Sequence, residues 1–334
     1  MQKKLNYCTP TAKGGYILKA LVVDRIHEDG IKLLEQYCSV DINYNISAEE
    51  LARVISNYDI LLGRATPATP RIEYPVLENS GKLKIIGIAS VGLDQCDQEY
   101  IKERGIRLLN LPGVNSISVA EHAIAMMLSS MRRIPVGYEE MKAGKWNKHG
   151  YTSARELRNK TLGIIGFGNI GKTVAEIAKG GFSMEILAYD PYISDEEFIS
   201  NRAKKSTLNE LLINSDIVTI HAPLTDETYH MIGENELNQM KKGSMILNLG
   251  RGGIIEEKAL FNALANGPIS QAALDVQEEE PCFASPLFDL PNFIATPHVA
   301  GLTEDALSRA GVRVVVEALE VCGIQVYLNK TAVI

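Results

Sequence analysis

Three residues far apart in the 334-residue sequence carry side chains suited to acid–base and anion chemistry: Arg251, Glu280 and His298. Arg251 follows the apolar run MILNLG. Glu280 closes the acidic run Glu278-Glu279-Glu280, five residues past Asp275, and His298 follows FIATP. A guanidinium stays charged and can clamp a carboxylate through two parallel hydrogen bonds. A histidine can take the proton of a hydroxyl near neutral pH, or return it. A carboxylate beside that imidazole favours its protonated form and fixes the ring. Each residue alone has an ordinary reading: a surface ion pair, a solvated acidic run, a residue packed after proline. Brought together, they suit the oxidation of a 2-hydroxy acid, provided that a hydride acceptor is at hand.

The stretch Thr161 to Asp190, TLGIIGFGNIGKTVAEIAKGGFSMEILAYD, would supply that acceptor. Leu162 to Ile165 reads as a buried strand. Gly166, Gly168 and Gly171 form G-x-G-x-x-G and lead into a helical pattern through Val174, Ile177 and Ala178. The first glycine permits a tight turn, the second admits a pyrophosphate to the backbone, and the third lets helix and strand pack closely. Free N–H groups and the dipole at the helix start then face the anion. A second strand, Ile186 to Tyr189, ends at Asp190, placed to accept hydrogen bonds from the ribose hydroxyls and to repel a 2′-phosphate. The expected cofactor is NAD, not NADP.

Ligands of parallel α/β sheets lie at the carboxyl ends of the strands, and the rest of the chain supplies such strands. Lys19 to Asp24, Val40 to Ile42, Asp59 to Leu62, Leu83 to Ile88 and Ile106 to Leu108 read as strands. They alternate with helices around Ile31 to Tyr37, after Ser47 (a capping box with Glu50), from Ile72 to Asn79, and up to Arg104. LPGVN, Leu111 to Asn115, is a turn-rich boundary. Beyond it Ser116 to Ile134 is a long helix, apolar on nearly all sides and so expected to be buried between layers or between subunits. It contains His122, read as a packed helix histidine. Tyr138 to Arg158 reads as a polar connector with the single Trp146, and the region after Asp190 is weakly patterned. Strands are predicted at Asp216 to Ile220, Met245 to Leu249, Ser270 to Leu274 and Phe293 to Ala295. Helices are predicted at Leu208 to Ile213, Glu256 to Asn266 and Thr303 to Val321. Two βα arrays imply two parallel-sheet domains with a cleft between them. The expected division is residues 1–112 with 302–334, and 113–301.

Composition bounds the partners. With 46% hydrophobic and 22% charged residues the chain is an ordinary globular protein. A net charge of −7 argues against general affinity for nucleic acid or anionic membrane. No apolar run approaches the roughly 18 residues of a membrane span, and the basic N-terminus lacks a secretory apolar core. That N-terminus reads as a loose extension. Five scattered cysteines without a C-x-x-C pair favour reduced thiols in a cytosol, with no disulfide framework and no metal site.

From about Lys19 to Leu328 the sequence resembles the D-isomer-specific 2-hydroxyacid dehydrogenase family. The resemblance is carried by LGIIGFGNIG, YDP, HAPLTDET, NLGRGGIIEEKAL, ALDVQEEEP and ATPHVAG. It implies Arg251, Glu280 and His298 as the catalytic arginine, glutamate and histidine. It implies cofactor contacts at Gly166, Gly168, Asn169, Ile170, Gly171, Asp190, Ala222, Pro223, Thr228 and Asp275, and at the backbone after His298. The N-terminal domain, flavodoxin-like and rejoined by the last helix, would bind substrate, and the second domain would be a Rossmann-type NAD domain. Ser90, Val91 and Gly92 match the loop whose amides hold the substrate carboxylate. The helix from Ser116 matches the element that forms much of a homodimer interface.

Within the family, GRAT (Gly63 to Thr66), AGKWNKHG and RAGVRVVVEAL are most similar to 3-phosphoglycerate dehydrogenases, enzymes of serine biosynthesis. Arg64 matches an arginine that reaches the substrate there, and Arg132 or Arg133 would add positive charge across the dimer. Ile88 departs from the pattern, standing where many such enzymes carry a further arginine. The SVG form of the Ser90 loop also occurs in glyoxylate and hydroxypyruvate reductases, the alternative expectation. A remoter one is an NADH-sensing scaffold akin to corepressors of this fold. The sequence stops at Ile334, so feedback by serine through a following domain is not expected.

Overall fold

The computed structural model describes residues 17–66, 69–93 and 95–326. The expected N-terminal extension lies outside the described residues. The chain divides into two compact units, one made of the residues up to Asn115 and those from Leu302 onward, the other Ser116–Gly301.

The first unit alternates strands and helices: β1 (Leu18–Val22), α1 (Glu28–Leu34), β2 (Cys38–Ile42), α2 (Ala48–Val54), β3 (Ile60–Gly63), α3 (Tyr74–Leu77), β4 (Ile85–Ile88), α4 (Gln98–Glu103) and β5 (Arg107–Leu109). All its pairings are parallel, in the order β2-β1-β3-β4-β5, the flavodoxin-like order. Strands buried on both faces explain why β3 and β4 read as continuous apolar runs. The predicted capping box is present: Glu50 N–H donates to Ser47 Oγ, and Ser47 N–H to Glu50 Oε2. On one face the core is closed by the last helix of the chain, whose Ala310, Val314, Val315 and Ala318 pack with Ala20, Leu62 and Ile85.

The second unit opens with α5 (Ser116–Met131) and α6 (Ile134–Lys142). The single long helix and polar connector expected here need correction. The helix stops before Arg133, which takes a left-handed backbone (φ 56°), and a second helix starts across Pro135. Proline lacks an N–H and cannot sit in a helix interior without breaking it, but fits the first turn of a new one. The remaining elements are β6 (Thr161–Ile165), α7 (Asn169–Phe182), β7 (Glu185–Tyr189), α8 (Asp195–Ser200), β8 (Lys204–Lys205), α9 (Leu208–Asn214), β9 (Ile217–Ile220), α10 (Glu234–Gln239), β10 (Ser244–Asn248), α11 (Glu257–Asn266), β11 (Ile269–Leu274) and β12 (Phe293–Ala295). The final α12 (Glu304–Val321) belongs to the first unit. The seven parallel strands run β12-β11-β10-β9-β6-β7-β8, a doubly wound sheet whose order reverses between β6 and β9.

Candidate active site

The glycine turn sits at that reversal point. Gly166 has φ +86°, and a β-carbon there would lie 2.6 Å from the Ala222 nitrogen. One on Gly171 would lie 2.3 Å from the Gly166 carbonyl oxygen, so helix, turn and neighbouring strand end touch backbone to backbone. Around Gly168 nothing stands within 4 Å of such a β-carbon. Gly168 is also the cap of α7 and offers no side-chain acceptor, so the N–H groups of Asn169, Ile170 and Gly171 open the helix without a side-chain cap. An uncapped helix start beside open space suits a pyrophosphate.

Asp190 ends β7. Its Oδ2 accepts the Phe167 N–H at 2.9 Å and its Oδ1 the Tyr192 N–H at 3.0 Å, which fixes the carboxylate beside the glycine turn. Ala222 is buried after β9. Thr228 folds the next turn on itself: its hydroxyl donates to the Pro223 carbonyl at 2.7 Å and accepts the Thr225 N–H at 2.8 Å. These residues fit a dinucleotide. His221, between β9 and Ala222, is held through Nε2, 3.0 Å from Thr219 Oγ1, and burial pushes its imidazole down to about 3.

An imidazole–carboxylate pair forms across two strand ends. His298 Nδ1 lies 2.7 Å from Glu280 Oε2, in the loops after β12 and β11. Both side chains are partly open to solvent, 48% and 35% exposed. His298 takes a left-handed backbone (φ 53°) that is uncommon outside glycine and persists where the surroundings impose it. Here its N–H is bound to the Asp275 carbonyl at 2.8 Å. Arg251 follows β10, the neighbour of β11, in a turn organised by buried Asn248: its Nδ2 donates to the Arg251 carbonyl at 2.8 Å and its Oδ1 accepts the Gly250 N–H at 3.0 Å. Thus β10, β11 and β12, adjacent in the sheet, deliver Arg251, Glu280 and His298 at their carboxyl ends.

Two residues of this region have supporting contacts that the local sequence does not announce. Asp275 is expected as a cofactor contact; its buried carboxylate accepts the Thr296 hydroxyl and the N–H groups of Val299 and Ala300, and so anchors the turn that bears His298. His122, read as a packed helix histidine, reaches Thr296 Oγ1 at 3.0 Å from α5. A strand-end aspartate is a visible signal for Asp275; nothing local marks the partner of His122.

In the first unit the expected substrate groups sit on neighbouring strands. Arg64, half-buried, follows β3, and Ser90, Val91 and Gly92 follow β4, where Ala89 N–H donates to the Gly63 carbonyl at 2.8 Å. The Ser90 amide is already engaged with the Ile88 carbonyl at 2.7 Å, and the Val91 carbonyl with Asn110 Nδ2 at 2.8 Å. Asp24, after β1, holds the Arg64 loop by accepting the Thr66 and Thr69 hydroxyls. Ile88 is buried in the core below this loop. Among the described residues no cluster of His, Cys, Asp or Glu could hold a metal ion, and no helix is long and apolar enough to cross a membrane.

Residues 124–300 match the family described as D-isomer specific 2-hydroxyacid dehydrogenase, NAD binding domain. The chain belongs to the D-isomer specific 2-hydroxyacid dehydrogenase family. D-3-phosphoglycerate dehydrogenase of Methanocaldococcus jannaschii is 43% identical over 88% of this chain, which spans 56% of that protein's length. Hydroxypyruvate reductase of Thermotoga maritima is 36% identical over 91% of this chain and 98% of its own. Among solved structures, the TT0316 protein from Thermus thermophilus superposes with a TM-score of 0.81 at 30% identity, covering 92% of this chain and 98% of its own. The second unit is thus an NAD-binding domain, and the two parallel sheets expected from the sequence are those of the family fold.

Proposed function

We propose that this chain is an NAD-dependent oxidoreductase that interconverts a D-2-hydroxy acid and its 2-keto acid, with 3-phosphoglycerate as the hydroxy acid and serine synthesis as its setting. The reading rests chiefly on the His298–Glu280 pair, set beside the Arg251 turn in a domain built for NAD. When bound, the dinucleotide exchanges a hydride at its nicotinamide. In the direction of reduction, protonated His298 gives its proton to the carbonyl oxygen; in oxidation it takes the hydroxyl proton. Glu280 steadies the ring and the charge of the imidazolium. Arg251 binds the carboxylate and polarises the adjacent carbonyl. Arg64 and the Ser90 to Gly92 loop serve the rest of the substrate.

A second reading, reduction of hydroxypyruvate or glyoxylate, is favoured by the buried Ile88, an apolar side chain where many phosphoglycerate enzymes carry arginine. NADH oxidation with 3-phosphohydroxypyruvate, hydroxypyruvate, glyoxylate and pyruvate separates the two. A preference of about tenfold in kcat/KM, roughly 1.4 kcal/mol, for the phosphorylated acid supports the first. The opposite preference supports the second, and turnover of none of the four removes both.

A homodimer accompanies this reading. A cavity of about 770 Å³ along α5 and α6, lined by Met131, Val136 and Leu290 among others, includes none of Arg251, Glu280 and His298. Ile134, Tyr138, Met141 and Trp146 stand exposed on α6 and just after it, an apolar surface of the kind that a second copy covers. Light scattering on the eluted protein tests it: a monomer mass removes the dimer.

A further inference from the structure

The outer two glutamates of the run Glu278-Glu279-Glu280 face different partners. Glu280 Oε2 holds His298, while its Oε1 accepts the Gln277 N–H at 3.1 Å and closes the loop on itself. Glu278 turns to α11 and the His230 loop. Its Oε1 accepts the Glu257 N–H at 2.9 Å and lies 3.1 Å from His230 Nε2, and its own N–H donates to Glu257 Oε1 at 2.8 Å. Glu257 is the first residue of α11, where a backbone N–H has no helical partner and a negative charge is stabilised.

His230 is itself tied to the arginine turn, its N–H donating to the Gly253 carbonyl at 2.7 Å and its ring stacked on Tyr229 at 4.0 Å. Between them lies Gly252. A β-carbon there would fall 1.7 Å from the Gln277 carbonyl oxygen, so the turn bearing Arg251 and the loop bearing Glu280 are pressed backbone to backbone, a contact open only to glycine. Carboxylates crowded in one short loop repel one another. Burial raises the proton affinity of Glu257, the Glu278 N–H bonded to its carboxylate lowers it, and the Glu278 charge raises it.

We propose that Glu278, with His230 and Glu257, is a positioning clamp that fixes the 275–281 loop against the Arg251 turn and so keeps the Glu280 carboxylate on the His298 ring. Glu278 does not touch the reacting atoms on this account. The inference rests on the active-site reading above.

The test uses the full chain, Glu278→Ala beside Glu278→Gln, with NADH and whichever of the four keto acids the native protein reduces. Gln keeps the oxygen that accepts from Glu257 and His230; Ala removes it. The expected result is a kcat lowered tenfold or more in Glu278→Ala, an NADH dissociation constant within twofold of native, and kcat restored to within threefold by Gln. Amide exchange at Gln277 and Glu278 should quicken at least tenfold in the Ala variant. A kcat within twofold of native in Glu278→Ala, or an equal loss in Gln, overturns the clamp. If the native protein reduces none of the acids, the functional reading falls separately and the exchange rates alone decide: unchanged rates overturn the clamp, quickened ones sustain it. Should Glu278→Ala fail to fold, His230→Asn, which tolerates the left-handed backbone at that position (φ 49°), takes its place with the same pattern expected.

Discussion

Asp275 Oδ2 accepts the backbone N–H of Ala300 at 2.9 Å, so an acid at the end of β11 governs the turn that carries His298. The other oxygen takes the Val299 N–H at 3.0 Å and the Thr296 hydroxyl. Asp275→Asn keeps the shape but makes one of these acceptors a donor, facing an N–H or a hydroxyl inside a buried site. The expected loss is about 1–3 kcal/mol of stability, with kcat at least tenfold lower because the turn that carries His298 loses one of its side-chain anchors. Calorimetry and steady-state kinetics read both. Native-like stability and rate in Asp275→Asn would remove the anchoring role.

Arg251 has its backbone fixed by Asn248 while, among the described residues, its guanidinium donates only a near-neighbour bond, Nη1 to the Gly250 carbonyl at 2.9 Å. Replacement by alanine should therefore leave folding intact and remove carboxylate binding. Turnover of Arg251→Ala is expected to fall by at least about a hundredfold, near 2.7 kcal/mol, with Arg251→Lys recovering only part of it, since an ammonium lacks the planar fork. Survival of turnover to within about tenfold in the alanine variant sinks the assigned role.

Asp190 holds the glycine turn, and under the proposed function it also sets the cofactor choice. Because its oxygens hold the Phe167 and Tyr192 amides, the carboxylate is fixed in place and cannot swing aside for a 2′-phosphate. In Asp190→Ala the preference for NADH over NADPH, measured as a ratio of kcat/KM, should shrink by about tenfold or more, roughly 1.4 kcal/mol. An unchanged ratio would place the discrimination elsewhere.

His221 makes stability depend on pH. Its folded imidazole is pushed from the ordinary 6.5 down to about 3 by burial. Above pH 6.5 both folded and unfolded forms are neutral and the contribution is complete. As pH falls from about 6.5 toward about 3, only the unfolded form takes the proton, and stability drops by at most about 1.4 kcal/mol for each unit. Urea midpoints at pH 7 and pH 5 should differ less in His221→Gln than in the native chain. Equal differences in the two proteins would assign the acid sensitivity to other groups.

Most strands were legible because parallel sheets bury both faces: apolar runs such as Ile85–Ile88 leave no polar alternation to confuse them, whereas the exposed Lys204–Lys205 strand was missed. Short β12, an edge strand with only Phe293 buried, was legible instead from its apolar residues between Asn292 and Pro297. Less visible were α6, α8 and α10, whose outer faces are polar or mixed and whose apolar stripe is brief. The placement of Arg251, Glu280 and His298 after neighbouring strands was legible, since a parallel sheet gathers strand ends whatever their spacing in sequence. The supports did not. Asp190 and Asp275 look alike in sequence, each an acid closing a strand; which backbone amides they accept depends on turns that no local pattern announces. His122 finds Thr296 174 positions away, and helical periodicity says nothing about such a partner.

The place of α12 in the chain has a consequence for synthesis. Val314, Val315, Ala318 and Leu319 complete the apolar interior of a unit whose strands are all made before Asn115, and the whole second unit is translated in between. On the ribosome the first unit's sheet must wait with one face uncovered while the later unit emerges. The first unit therefore cannot complete its core until the second has been synthesised, although its own strands are encoded first.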